Sequence, residues 1–266
     1  MKKIISILAF LLSMGLTVAF AGPVISSGAS QDKAVPKFIG AIWYVDAGMT
    51  SSGSGIAPAT AFKTIGEAIT AASAGDAITV KAGTYTETGL NIDNYGMELW
   101  AEIGVLIQPA SGTALTISGN SCKVMGMMKI VPAAGEIGML ISGNECHIEH
   151  IKVSTGGTGF SITGTGVMIV DCAAGNQTAI GYDIQGGSAR LTDCKTAGVG
   201  ASYGYKITGG VDTGVLANCT SVGHETSSYY IDTGSSYWTV LNCSTGAGDG
   251  RWRDIDETNV WSNFSY

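Results

Sequence analysis

The sequence predicts an all-β fold, a right-handed parallel β-helix (a solenoid) with a short N-terminal capping helix. A recurring phrase and the composition carry that prediction. The phrase appears as ALTISG (114–119), GMLISG (138–143), GFSITG (159–164), GYDIQG (181–186) and GYKITG (204–209), then more loosely as YYIDTG (229–234) and WRDIDE (252–257). Its isoleucines, Ile117, Ile141, Ile162, Ile184, Ile207, Ile231 and Ile255, are separated by 24, 21, 22, 23, 24 and 24 residues. The composition, with 39 Gly, 45% hydrophobic and 13% charged residues, suits many short strands joined by tight turns better than helices.

A unit of this length with three short strands cannot bury its apolar face alone, but a stack of such units can. Each strand then pairs in parallel with its equivalent about 4.8 Å away, and like residues form ladders. Right-handed winding follows from the preference of parallel crossovers. Leucine-rich repeats have a similar period, but they need leucine at fixed offsets that this chain lacks.

A second column shares the frame: Gly126, His150, Asp171, Asp193, Asn218 and Asn242. A one-residue corner between two strands needs positive φ, which Gly, Asn and Asp tolerate best, and His150 is the poorest fit. Asp171 and Asp193 are therefore read as corner residues rather than a catalytic pair. Apolar or small residues follow each corner (Met127, Ile151, Cys172, Cys194, Cys219, Cys243), and Val124, Ile148, Ile169, Leu191, Leu216 and Val240 precede them. The four cysteines of this column, with Cys122 and Cys146 in another, read as buried free thiols, because parallel side-chain vectors suit disulfide torsions poorly.

The first residues read as a bacterial-type signal peptide: Lys2 and Lys3, an apolar run from Ile4 to Val18, and Ala19-Phe20-Ala21 as the cleavage site. This predicts a secreted, extracellular or cell-surface protein, with residues 1–21 removed, 22–41 flexible, and no stable membrane insertion after cleavage. Removal of Lys2 and Lys3 leaves 12 basic side chains against 21 acidic, a net charge of about −9. That balance excludes a nucleic-acid partner, whose phosphates need basic patches. Residues 42–75 read as an opening strand followed by a helix capped by Thr60, with Phe62, Ile65, Ala68, Ile69 and Ala72 on its buried face. The coils are expected over 76–257. In 258–266 Trp261, Phe264 and Tyr266 are expected to cover the last coil or to form a contact in a homo-oligomer.

The opening segment resembles that of secreted proteins in the pectate-lyase-like, right-handed β-helix superfamily. The resemblance rests on Tyr44-Val45-Asp46, on Pro58 to Ile65, and on Gly75-Asp76-Ala77-Ile78 through Gly83-Thr84-Tyr85. With the coils it covers roughly 42–257 and is specific for fold but weak for function. It implies a polysaccharide or surface-glycan partner, and a site on the outer face of the isoleucine-bearing strands. Outward positions there gather Asp183, Lys206, Tyr230, Asp232, Asp254 and Asp256, with His224, Glu225, Asp249, Arg251 and Arg253 in the loops entering those strands. Asp232, Asp254, Asp256 and Lys206 are the catalytic candidates, and Asp183, Tyr230, Arg251 and Arg253 the ligand-binding ones. Asp232 stacked on Asp256 would offer a Ca²⁺ site for an acidic sugar, whereas Arg251 and Arg253 could instead neutralise that cluster. The Asn-Thr-Asp, Asp-Asp, His-Gly and Arg-x-Lys set of polygalacturonases is absent, as are the arginine and Trp-x-Asp-His motifs of pectate lyases. Three readings stand: a glycan-binding surface or virion-associated (tailspike-like) module, a polysaccharide lyase or glycoside hydrolase acting on an acidic polymer, and a structural or adhesive protein.

Overall fold

The computed structural model describes residues 40–198, 203–208, 213–232 and 237–245, and the backbone of the strands Trp252–Asp254 and Val260–Asn263. Residues 1–21, expected to be a signal peptide, and nearly all of 22–41 lie outside the described residues, as do Asp249, Arg251, Asp256, Phe264 and Tyr266.

The described chain is a parallel β-helix with three faces. Face A stacks ten strands in chain order, from Ile42–Val45 and Ala77–Val80 through His147–Ser154 and Met168–Val170 to Trp238–Leu241 and Val260–Asn263. Face B follows the corner and runs from Gly83–Tyr85 to Ser244–Thr245, and face C runs from Asn91–Ile92 to Trp252–Asp254. The last face A strand, Val260–Asn263, pairs with Trp238–Leu241, so the coils continue past the expected end at Glu257.

The isoleucine ladder lies in face C. Ile117, Ile141, Ile162, Ile184, Ile207 and Ile231 are register partners in succession, and Ile92 adds a rung below Ile117. All are at most 2% exposed. Two residues before each isoleucine runs a second inward column: Leu115, Met139, Phe160, Tyr182, Tyr205 and Tyr229. Its four rings stack with centroids 4.8, 4.9 and 5.0 Å apart and planes within 5° of parallel. The hydroxyls do not stay unpaired in the core, since Tyr205 Oη donates to Cys194 O (2.8 Å) and Tyr229 Oη to Cys219 O (2.7 Å).

The glycine opening each GxxI phrase is explained by close approach. A Cβ at Gly138, Gly159, Gly181 or Gly204 would overlap the inward face B side chain packed against it, respectively Val153, Ala174, Thr196 and Ser221. These glycines therefore set how near faces B and C meet.

All six corner residues have positive φ: Gly126 (114°), His150 (59°), Asp171 (46°), Asp193 (56°), Asn218 (53°) and Asn242 (49°). His150 holds this conformation with its ring between two carboxylates, Nδ1 3.5 Å from Glu149 and Nε2 3.4 Å from Asp171. The residue expected inward after Gly126 is corrected: a register shift at this corner pairs Ile151 with Met128, which is buried, while Met127 is 60% exposed. The extra residue is a β-bulge, which turns one side chain outward. All six cysteines are buried and unpaired.

The capping helix α1 spans Ile65–Ala71, shorter than expected, and its cap is Thr64 rather than Thr60. Thr64-Ile-Gly-Glu67 forms a capping box, with the Thr64 side chain bonded to Glu67 N and the Glu67 carboxylate to Thr64 N. Glu87 adds two bonds from Ile65 N and Gly66 N. Pro58–Thr60 is a separate 3₁₀ turn, and Phe62 instead bridges to Val45 and stacks on Trp43. The free edge of the first strand is closed by the loop over it, through Tyr44 N to Gly55 O and Phe62 N to Tyr44 O. Asp76 ties this cap to the coils by accepting from Ala41 N (2.7 Å), Ser73 N (2.8 Å) and Trp43 Nε1 (2.9 Å).

Candidate functional site

Each residue before a ladder isoleucine faces outward on face C, so the ladder dictates which side chains meet. The outward column reads Thr116, Leu140, Ser161, Asp183, Lys206, Tyr230 in register, and the backbone of Arg253 continues it. The first three are chemically plain and the next three are not.

In the later coils the column becomes a connected polar and aromatic surface. Lys206 Nζ stands 5.4 Å from the centroid of the Tyr203 ring, a cation–π distance. Tyr203 meets Tyr230 with centroids 5.2 Å apart and planes at 58°. Tyr230 Oη donates to Asp232 Oδ1 (3.4 Å), and Gln185 Nε2 donates to Asp183 Oδ2 (2.7 Å). Asp183 and Lys206 are ladder neighbours, yet no ion pair joins them. Lysine turns to the tyrosine ring instead, and Asp183 Oδ1 is shielded from solvent without a hydrogen-bond partner. An ammonium over one ring, a second ring against the first and a carboxylate on the neighbouring rung form an arrangement that suits a hydroxyl-rich ligand.

Of the residues expected from sequence, Asp183, Lys206, Tyr230 and Asp232 are thus brought together. Asp254 and Arg253 lie in the described backbone of the next strand, while Arg251 and Asp256 lie outside the described residues. The register there departs from expectation. Tyr229 pairs with Trp252, Tyr230 with Arg253 and Ile231 with Asp254, so Asp254 rather than Ile255 stands beside Ile231. Stacking of Asp232 on Asp256, the basis of the Ca²⁺ expectation, does not follow from this pairing. Among the described residues no group of three or more His, Cys, Asp and Glu side chains is placed to hold a metal ion. His224 is also corrected: it is 5% exposed, inside the B–C corner, with Nε2 3.3 Å from Thr196 Oγ1.

Tyr203 is the site residue that alternation misses. Counting back from Ile207 makes it inward, but Ile137–Ile141, Ile180–Ile184 and Tyr203–Ile207 each read half-buried, buried, buried, half-buried, buried. The close-packed glycine interrupts the pleat and returns Tyr203 to the outer surface. The signal was the glycine itself, since glycine inside a strand marks a bulge or a close approach.

Ionisation is perturbed most inside the coils. Burial pushes the Cys172 thiol up to about 12, and a hydrogen bond with Cys194, followed by burial, pushes Cys219 up to about 12. Burial likewise raises the Tyr182, Tyr205 and Tyr229 phenols well above their ordinary value. These groups are therefore neutral packing elements.

No family model matches the sequence, and no curated protein matches it. Solved structures do. A rhamnogalacturonan lyase superposes with a TM-score of 0.58 at 16% identity over 80% of this chain. The chain spans 64% of that lyase's length. A pectate lyase matches with a TM-score of 0.48 and 13% identity over 80% of this chain and 78% of its own. A pectin methylesterase from Aspergillus niger gives 0.47 and 13% over 84% and 90%. The fold is thus the right-handed parallel β-helix. Among the described residues no helix is long and apolar enough to cross a membrane.

Proposed function

We propose that this protein is an exported glycan-binding module, displayed on a surface or a virion, that holds an acidic polysaccharide along the outer side of face C. Tyr203 and Tyr230 supply rings for sugar stacking, Lys206 supplies a cation for a uronate carboxylate, and Asp183 and Asp232 accept sugar hydroxyls. The observation carrying this reading is the outer column Asp183, Lys206 and Tyr230, joined through Tyr203 by the Lys206–Tyr203 and Tyr203–Tyr230 contacts. The turns bordering that surface are short, with four residues between Gly175 and Ile180 and four between Ile184 and Ala189, which favours a shallow site binding along a chain.

A second reading, cleavage of the same polymer, draws on the same pair: Asp183 or Asp232 and Lys206 would serve as acid and base. One experiment separates the two. Binding of galacturonan and of a neutral glucan is measured by calorimetry for the wild type, Tyr230→Ala and Lys206→Ala, while reducing ends and unsaturated products are followed in parallel. The binding reading expects galacturonan affinity to fall at least about tenfold in both variants without turnover. Wild-type protein that binds neither polymer, or variants that bind like wild type, would remove it. Product formation that depends on Lys206 would replace binding with catalysis.

A further inference from the structure

The residue one or two places before a face A strand has positive φ at Gly75 (79°), Gly96 (68°), Ser121 (56°), Glu145 (57°), Gly166 (71°), Ser188 (57°) and Tyr237 (61°), though not at Thr213. Small or flexible residues answer that demand, and a bulky aromatic answers it worst, because its Cβ crowds the backbone in the left-handed region. Tyr237 gains no burial in return, since it is 69% exposed. A strained residue that packs against little is held there by something other than folding.

Tyr237 lines a cleft of about 200 Å³ with Ser188, Arg190, Thr213, Val215 and Thr239. Ser188 Oγ and Thr213 Oγ1 lie 2.9 Å apart along its wall. Arg190 is exposed, its ladder neighbours are Met168 and Val215, and among the described residues no carboxylate pairs with it. In a chain with 21 acidic and 14 basic side chains, an arginine left without an acidic partner is an available anion receptor. Arg190 and Thr239 are two strand spacings apart, roughly 9.6 Å.

We propose that this cleft is a second saccharide subsite, on face A and separate from the face C surface, in which Arg190 binds a uronate carboxylate and the Tyr237 ring stacks on the sugar. The wall hydroxyls of Ser188, Thr213 and Thr239 meet the sugar hydroxyls. The inference rests on the glycan-binding reading above, and deepens it by requiring an acidic sugar on two faces.

The test is made in the full exported chain carrying Lys206→Ala and Tyr230→Ala, which disables face C, with a galacturonate trimer, a neutral galactose trimer and sodium sulfate as probes. The galacturonate trimer is expected to bind this background, and Arg190→Gln to lower its affinity at least about tenfold. Tyr237→Gly is expected to weaken binding while raising the melting temperature by about 2–4 °C, because glycine relieves the strained turn. Opposite signs on binding and stability are what a purely structural tyrosine would not give. Equal binding of the neutral trimer, equal binding of sulfate alone, or a lower melting temperature for Tyr237→Gly would each overturn the subsite. Loss of all galacturonate binding in the background, with wild type still binding, would overturn it and leave the face C reading intact. Wild-type protein that binds no trimer would overturn both.

Discussion

Replacing Tyr205 tests whether the ring column carries the stability of the later coils. Tyr205 is fully buried, stacked on Tyr182 at 4.9 Å and on Tyr229 at 5.0 Å, and bonded through Oη to Cys194 O at 2.8 Å. Removal of a buried aromatic to alanine costs about 3–5 kcal/mol, and each lost ring contact adds about 0.5–1.5 kcal/mol. Partial collapse of the neighbouring rings offsets some of this, so Tyr205→Ala should cost roughly 4–6 kcal/mol. Tyr205→Phe keeps both stacks and removes only the hydroxyl. Cys194 O still accepts from Thr220 N (2.9 Å), so no carbonyl is orphaned and the cost should be about 0.5–1.5 kcal/mol. Urea unfolding followed by far-ultraviolet circular dichroism reads both values, with the slope checked because a solenoid can lose cooperativity when one coil weakens. A phenylalanine variant as damaged as the alanine variant would assign the effect to the hydroxyl. An alanine variant within about 1 kcal/mol of wild type would show that the rings fill space without holding the coils.

Two further outcomes are expected. All six thiols should resist alkylation in the native protein and react without reductant once it is denatured. A stoichiometric disulfide by mass spectrometry would refute the thiol assignment. Asp76→Asn should lower the melting temperature at neutral pH. Burial opposes the Asp76 charge, but the bonds from Ser73 N, Trp43 Nε1 and Ala41 N outweigh it together and hold the carboxyl below its ordinary value. A depressed carboxylate stabilises above its unfolded value, near about 3.9, and loses that contribution as pH falls through the folded value. The gap between variant and wild type should therefore persist from neutrality down to that range and close beneath it, and equal melting at pH 7 would contradict the anchoring role.

Inward columns were legible because each rung repeats the demand of the last. Ile117 to Ile231 and the corners Gly126 to Asn242 stand where their spacing put them, even where His150 fits the corner poorly. Departures have local causes. Gly126 hosts a bulge, which exposes Met127 in place of the neighbouring Met128. The Thr-x-x-Glu box at Thr64 competes with Thr60 as a cap and wins because Glu67 closes it. The column of Phe160, Tyr182, Tyr205 and Tyr229 was written in the phrases GFSI, GYDI, GYKI and YYI, but the isoleucines masked it. In the candidate site, Asp183, Lys206, Tyr230 and Asp232 were readable from alternation, while Tyr203 was hidden by the glycine that breaks it.

The outward column of face C carries no such repetition. Between Thr116 and Tyr230 no two neighbours in the outer column of face C are alike, although the inner columns repeat isoleucine and aromatic rings. Asp183, Lys206 and Tyr230 each lie between a stacked ring and a ladder isoleucine in sequence: Tyr182 and Ile184, Tyr205 and Ile207, Tyr229 and Ile231. The ring ladder starts with Phe160 and Tyr182, just where the outer column turns from Ser161 to Asp183. Parallel rings at 4.8–5.0 Å match the strand spacing, so they hold successive backbones at one separation without strain. A site made of single side chains from successive coils needs that constancy, because its geometry is the spacing of the coils. The interior stack thereby supplies the rigidity the surface uses, and Tyr205→Ala should weaken galacturonan binding at Lys206 although Tyr205 never meets solvent.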